Sequence, residues 1–313
     1  MSAKSSRKEH VGKRSFPSML GNVHKSTDEN AHSRHIPYVG GQALIEGVMM
    51  KTPTEVSMAA RTRKGIITKK EHHESITAKN KFLGLPVIRG FVFLIEMLVI
   101  GFKALTWSAE QQNPEEGKLG PWELAGTIVF AVVLTVGIFV VAPYYLAKIF
   151  IKQPDVWFNL LDGVFRLVLF LLYILVIGLM PDVRRTFQYH GAEHKAVFCY
   201  EAKLPLTVKN VQKFKTMHPR CGTSLLIFVI ALSIVLFSFI RFPQWYFNIP
   251  LRIVIVPVIA GISYEILKLS ARFKKNPLFW LIMQPGLWVQ KITTKEPTNK
   301  QVEVAIAALK KVT

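Results

Sequence analysis

The residues best suited to chemistry lie in the heptapeptide YHGAEHK at positions 189–195. Its centre has the pattern H-x-x-E-H. If this segment is helical, His190 and His194 are one turn apart on the same face, and both can bind one metal ion. Glu193 lies beside them, where it can take a proton from a water molecule at the metal, as in the inverted zincin arrangement. The pattern therefore predicts a hydrolytic metal site.

A metal held by two histidines needs a third ligand, and the sequence offers two candidates. His218 and Cys221 form the pattern H-x-x-C, and both imidazole and thiolate suit zinc. We therefore expect zinc or another divalent metal, with His218 or Cys221 as the third ligand. Cys199 lies in an apolar stretch and is expected to be a small buried residue. The alternative is that the histidines bond backbone groups or lipid phosphates.

Three further carboxylates occupy unusual positions. Glu96 and Glu265 interrupt apolar segments, where an ionisable group is a candidate for function. For Glu265 the simpler interpretation is an ion pair with Lys268 or another neighbour. Glu46 lies among glycines and is expected to accept hydrogen bonds in a tight turn.

The elements that must position these residues include long apolar segments. Half of the 313 residues are apolar, yet the net charge is +20. The two facts are compatible because the charge is segregated: Leu124–Ala147 and Cys221–Ile240 carry no charged residue. Each is long enough to cross a bilayer as a helix. Leu167–Pro181, extended backwards, and a segment around Ile253–Tyr264 are two further candidates.

The distribution of charge predicts how these segments are arranged. Lys and Arg outnumber Asp and Glu in residues 1–89, 182–220 and 265–313. Four spans place all three regions on the cytoplasmic side, as the positive-inside rule favours. Residues 82–107 are apolar but contain Pro86 and charged residues, so we interpret them as re-entrant or interfacial helices. The alternative is a fifth, tilted span.

The predicted fold is thus an all-α polytopic membrane protein with about four transmembrane helices, a re-entrant or interfacial segment and a small cytoplasmic β element. A hairpin is expected from Val56–Arg61 and Ile66–Lys70. An amphipathic helix with a Thr298/Gln301 capping box is expected near the C-terminus. The predicted segments are a disordered basic tail (1–37), a cytoplasmic segment with the hairpin (38–81), the re-entrant or interfacial helices (82–107), two spans (122–181), a His/Cys loop (182–220), two spans (221–269) and a cytoplasmic tail (270–313).

Several of these stretches also resemble a known family, the bacterial YqhQ-like membrane proteins. The motifs that carry the resemblance are GGQALIEGVMM (40–50), YHGAEHK (189–195), HPRCGT (218–223), AGISYE (260–265), QPGL (284–287) and TTKEP (293–297). The resemblance runs from residue 38 to the C-terminus. It implies a bacterial plasma membrane protein and a metal-dependent enzyme, without implying a substrate.

Three functions are compatible with the sequence. The leading hypothesis is a metal-dependent hydrolase at the cytoplasmic membrane surface, with Glu193 as general base. The second is a non-enzymatic scaffold or assembly factor that binds a membrane-protein partner such as protein-insertion machinery. The third is a transporter subunit that uses the membrane-depth carboxylates. The expected contacts are the bilayer and its anionic headgroups, whereas nucleic acid is not expected because stacking aromatic motifs are lacking.

Overall fold

The computed structural model describes residues 38–112, 120–153, 155–240, 242, 244–273 and 276–313. The predicted basic tail, 1–37, lies outside these residues. Within them the chain is mostly helical, with one small antiparallel sheet. The strands are β1 (Gly40–Leu44), β2 (Gly47–Lys51), β3 (Glu55–Thr62) and β4 (Gly65–His72). The helices are α1 (Ile76–Lys79), α2 (Ile88–Gln112), α3 (Pro121–Val136), α4 (Ala142–Phe150), α5 (Val156–Ile177), α6 (Pro181–Glu201), α7 (Val208–Val211), α8 (Gly222–Phe237), α9 (Trp245–Arg272), α10 (Pro277–Thr293) and α11 (Asn299–Val312).

The sheet has the order β1-β2-β3-β4, so each strand pairs with its neighbour in sequence. The predicted hairpin is present as β3 and β4, which are joined by a two-residue turn. The glycine-rich segment before it was not predicted to be extended, yet it forms a second hairpin, β1–β2. Its turn places Glu46 at φ 51°, a left-handed conformation that is uncommon outside glycine.

Two helices cover one face of the sheet and one helix lies against the other. Helix α6 packs along β1, while α11 packs on β2 and β3. The predicted capping box of α11 is present, and Val302 and Leu309 are fully buried in the core between helix and sheet. On the opposite face, Ala104 of α2 packs against Met49 and neighbouring apolar residues. We call the sheet with α6 and α11 the cap.

The apolar part of the chain forms long helices. Three helical segments are long and apolar enough to cross a membrane: Trp122–Phe150, Val156–Ile177 and Trp245–Ser270. The first of them contains a π-helical segment, Gly137–Val141. Helix α8 is apolar but shorter. The three long segments overlap three of the four predicted spans, and the fourth predicted span contains the shorter helix α8.

Two regions differ from the sequence prediction. The prediction of a pair of helices over residues 82–107 is wrong, because the structure has the single helix α2 there. Pro86 precedes the helix and therefore does not break it. The re-entrant or interfacial placement of this segment stays a prediction. The C-terminal region has two helices and not one: α10 packs along α8, where Gly286 lies against Ser224.

A cluster of charged side chains is buried among the apolar helices. Asp162 of α5 accepts hydrogen bonds at the same oxygen, Oδ2, from Arg166 (2.9 Å) and from Arg252 of α9 (2.7 Å). Arg166 also donates to Ser233 of α8 and to the carbonyl of Phe139 in the π-helical segment. We call this set the arginine cluster, and it joins four helical segments.

Candidate metal centre

Helix α6 carries the H-x-x-E-H pattern, so this segment is helical, as binding of one metal by His190 and His194 requires. Pro181 stands in the first turn, where its missing N–H costs nothing, and the helix runs without a break to Glu201. The rings of His190 and His194 therefore lie on one face, with centroids 4.4 Å apart. The segment 182–220 expected as a loop is thus built on a 21-residue helix.

Both imidazoles are fixed through their Nδ1 atoms. His190 Nδ1 lies 2.9 Å from the carbonyl oxygen of Thr293, and His194 Nδ1 contacts the carbonyl oxygen of Thr216. A carbonyl only accepts, so each Nδ1 carries the hydrogen and each Nε2 has a free electron pair. Metal-binding histidines are commonly held in this way, with the second ring nitrogen bonded to a carbonyl or carboxylate.

Cys221 completes a group of three ligand atoms. Its Sγ lies 3.2 Å from His190 Nε2, and the ligand atoms of His190, His194 and Cys221 are all within 4.8 Å of one another. Nitrogen and sulfur ligands of one tetrahedral zinc ion are about 3.5 Å apart. The donor set and the tautomers therefore fit zinc or a similar divalent metal. Cys199 is buried elsewhere, near Leu204 and Pro205.

Glu193 lies next to this group and is fully enclosed. Its Oε2 has no hydrogen-bond partner among the described residues. A side chain at Gly41 of β1 would lie 2.9 Å from the Glu193 carboxyl, so only glycine permits this close approach. Burial raises the pKa of Glu193 to about 8, although His190 opposes the shift. A cation held nearby would favour the ionised carboxylate and lower this pKa.

The electrostatics of the ligands favour metal binding. Burial raises the pKa of the Cys221 thiol, but its contacts with His194 and Thr223 outweigh burial and place the pKa below the usual value. Burial lowers the pKa of His194 below its usual value, which favours neutral imidazole. Thiolate and neutral imidazole are the forms that coordinate metals.

The other predicted ligand, His218, has a different environment. Its Nδ1 accepts a hydrogen bond from the backbone N–H of Arg220, and its Nε2 lies 3.6 Å from Glu201. The ring packs on Phe198 and is 5.6 Å from the ring of His194. Of the two candidates for the third ligand, the structure brings Cys221 to the histidine pair.

Helix α10 supports the centre, and sequence reasoning missed this. The side chain of Gln290 is fully buried; its Oε1 accepts from the backbone N–H of His218, and its Nε2 donates to the His218 carbonyl and to Ser224. It thereby holds the turn that leads to Cys221. The signal available was the pair of motifs QPGL and TTKEP, which flank Gln290 in the sequence.

The three other carboxylates lie away from the centre. Glu46 accepts from Tyr189 and pairs with Arg185, in agreement with its predicted role as an acceptor in a turn. Glu96 lies beneath the sheet and accepts from His73 and Ser75.

Glu265 forms a two-bond ion pair, and its partner is Arg89 of α2. Glu265 thus forms an ion pair, but its partner is neither Lys268 nor another residue near it in the sequence, contrary to the expectation from the sequence. Gly90 and Gly261 allow the two helices to approach closely at this point.

Comparisons with known proteins agree with the motifs. The family described as "Protein of unknown function (DUF1385)" matches residues 85–313. The chain belongs to this family. It is also 33% identical over 292 residues to the "Uncharacterized protein YqhQ" of Bacillus subtilis (strain 168), covering 86% of this chain and 90% of that protein. The predicted YqhQ-like family is confirmed, and the DUF1385 match includes all three ligand candidates. No solved structure matches the chain.

Proposed function

We propose that this protein is an integral membrane protein that binds zinc, or another divalent metal, at His190, His194 and Cys221 and acts as a hydrolase at the cytoplasmic membrane surface. One observation carries the proposal. Two imidazoles, each held by a backbone carbonyl at Nδ1, direct Nε2 towards a cysteine sulfur. Beside them is a buried carboxyl with an oxygen that lacks a partner among the described residues.

The proposed location follows from the apolar helices and the charge. We take the helical segment Trp122–Phe150 and helices α5, α8 and α9 as the four spans, with both termini cytoplasmic. Three of these four segments are long and apolar enough to cross a membrane. In this arrangement the cap lies on the cytoplasmic side, because α6 follows α5 and Cys221 precedes α8. The basic segments then share that side. The centre stands where the cap meets the membrane helices.

The proposed chemistry divides between the ligands and Glu193. Three protein ligands leave a fourth position open, as in catalytic zinc sites. A bound divalent metal would supply Lewis acidity and lower the pKa of a water molecule. Glu193 accepts the proton of the attacking water and delivers it to the leaving group. The carbonyls of Thr293 and Thr216 keep the two imidazoles oriented throughout.

The first test measures bound metal in detergent-purified protein by elemental analysis. We expect about one zinc per chain in the wild type and its loss in the double variant His190→Ala/His194→Ala. The control is the double variant His72→Ala/His73→Ala, which removes two histidines of the sheet region. Absence of metal from carefully prepared wild type, or its retention in the 190/194 variant, contradicts the proposed centre.

The second test separates catalysis from metal binding. Glu193→Gln keeps the shape of the side chain but removes the base. We expect this variant to retain zinc and to lose zinc-dependent hydrolysis by a factor of about 100–10,000. Hydrolysis that continues unchanged in Glu193→Gln contradicts the role of Glu193.

One observation favours a second candidate, the non-enzymatic scaffold that binds a membrane-protein partner. Glu193 is buried beside the three ligands, and a shift of its carboxylate into the fourth position would close the site as in structural zinc centres. In that case Glu193→Gln weakens zinc binding and lowers thermal stability. Retention of zinc by Glu193→Gln therefore favours the hydrolase, and its loss favours the scaffold.

A further inference from the structure

The outer edge of strand β1 lies beside the candidate metal centre. β1 is the first strand of the sheet and pairs on one side only, with β2. Within the described part of the chain, no segment pairs with its other side. β2 is buried throughout, whereas Gly40 is exposed and Gly41 to Ala43 are half-buried. The strand nearest the centre therefore has an accessible edge.

The register shows which backbone groups point outward. Leu44 and Gly47 flank the two-residue turn, so they form a hydrogen-bonded pair, and pairs alternate from there. Ala43 and Gly41 fall in the non-bonded pairs. The bonds between β2 and β3 agree with this register. The carbonyl of Glu46 accepts from Arg61 and the N–H of Thr52 donates to Glu55, so the even-numbered residues here bond towards β3. Val48 and Met50, which lie opposite Ala43 and Gly41, are among these even-numbered residues. The N–H and C=O groups of Gly41 and Ala43 therefore face the open edge.

Gly41 also contacts the proposed base. Its backbone lies against the Glu193 carboxyl so closely that a Cβ there would be 2.9 Å from Glu193 Cδ. Glu193 therefore lies over the sheet face of the edge strand, and a chain that pairs with Gly41 and Ala43 would run along the strand that contacts the proposed base.

We propose that the substrate of this protein is a polypeptide that binds in an extended conformation along the outer edge of β1; this inference rests on the proposed hydrolase function. Two outward-facing residues offer two donors and two acceptors, alternating along the edge. An extended peptide backbone presents the complementary groups at the same spacing, about 6.8 Å for every second residue. A lipid acyl chain has no such groups, so the edge favours a peptide.

The reaction is amide hydrolysis. The oxygen of water bonds to the carbonyl carbon, and the bond between that carbon and nitrogen breaks. Glu193 accepts one proton of the water and passes it to the leaving nitrogen. The second proton leaves the new carboxyl group as it ionises and completes the ammonium group of the other product.

The experiment uses full-length, zinc-loaded protein in nanodiscs with three probes. Fluorescein-labelled casein is an unfolded polypeptide, p-nitrophenyl acetate is a small ester that needs no edge, and phosphatidylglycerol vesicles report lipid cleavage. The test variant is Ala43→Pro, which removes an outward N–H at an edge position where proline is tolerated. The matched control is Thr68→Pro, since Thr68 faces outward at the opposite edge, on β4.

We expect Ala43→Pro to lower kcat/KM for casein by at least about tenfold, because a backbone bond is lost and the ring blocks the edge. Hydrolysis of the ester and zinc content should not change in Ala43→Pro. Thr68→Pro should leave ester hydrolysis, zinc content and kcat/KM for casein at wild-type values. Equal loss on casein and ester, or no loss on either, overturns the proposal. Cleavage of lipid without cleavage of casein also overturns it.

A binding measurement keeps this inference separate from the hydrolase function. If zinc is bound but no probe is hydrolysed, the hydrolase proposal fails. The anisotropy of the labelled casein then tests the edge alone: binding weakened by Ala43→Pro but not by Thr68→Pro supports a peptide-docking edge. Equal binding of casein to the two variants overturns the peptide-docking edge. A change of oligomeric state in Ala43→Pro also overturns it, because it would show that a second copy occupies β1.

Discussion

The arginine cluster and the candidate metal centre are both buried polar groups, but their hydrogen bonding differs. In the arginine cluster, charged donors meet acceptors directly: two guanidinium groups share Asp162, and Ser233 and a backbone carbonyl take further bonds. In the metal centre, the electron pairs of His190, His194 and Cys221 face one another. Facing electron pairs need a shared cation or proton, whereas in the arginine cluster donors already meet acceptors, with one carboxylate between two guanidinium groups.

This difference indicates different roles for the two regions. Arg252 is enclosed by the rings of Tyr144, Phe158 and Phe237, so the cluster fills its site with contacts from its own helices. We interpret it as a structural junction of the apolar helices. The metal centre has its outer contacts satisfied and its inner atoms available for a ligand. Substitutions in the first region should affect folding, and substitutions in the second should affect metal and activity.

The largest effect is expected for Asp162→Ala. It leaves Arg166 and Arg252 buried without their shared carboxylate, which should lower the free energy of unfolding by about 3–5 kcal/mol. Thermal unfolding of purified protein in detergent measures the change. The control, Asp155→Ala, removes the N-cap of the same helix and should cost about 1 kcal/mol. If the two variants melt alike, the cluster is not a structural junction.

The next largest effect concerns the two cysteines. Cys221→Ser replaces a soft ligand with a hydroxyl, so we expect zinc affinity to fall by more than roughly 100-fold, beyond the loss typical of a supporting residue. Competition with a chromophoric chelator measures the affinity. Cys199→Ser should bind zinc like the wild type, because Cys199 lies outside the centre. Equal loss in both variants would indicate a general effect on the fold.

A smaller effect is expected for Gln290→Leu. This change removes two hydrogen bonds to the turn before Cys221 and one to Ser224 of α8, and we expect zinc affinity to fall about 10- to 100-fold. Gln284→Leu on the same helix is the control, since Gln284 is half-buried and its side chain bonds only its own helix among the described residues. Unchanged zinc affinity in Gln290→Leu would show that α10 does not position the ligand turn.

The smallest change tests the contact between sheet and base. Gly41→Ala inserts a methyl group against Glu193 and the Met49 carbonyl, so Glu193 must move. We expect hydrolysis to fall about tenfold or more, as small misplacements of catalytic groups do, with zinc content retained. Gly40→Ala has open space around it and should behave as wild type. Equal activity of the two variants would remove Gly41 from the site.

Local patterns in the sequence predicted the local features of this molecule. The spacing of His190 and His194 indicated a shared helical face, and the Thr298/Gln301 pair indicated the start of α11. The contacts missed are those between distant segments: Gln290 with His218, Gly41 with Glu193 and Arg89 with Glu265. They have no periodicity, because they depend on how α10, β1 and α2 pack. The β1–β2 hairpin was missed because its glycines and Glu46 are typical of turns.

The position of Gln290 has a consequence for biosynthesis. It lies 72 residues after His218, whose turn it holds, and Thr293, which fixes His190, follows it. When Cys221 leaves the ribosome, the three ligand side chains and Thr216 have been made, but Gln290 and Thr293 have not. The centre can therefore close only after α10 has been translated and has docked on α8. Until then a nascent chain presents a pair of histidines and a thiol without fixed geometry, so the proposed metal would be acquired late, as one of the last steps of assembly.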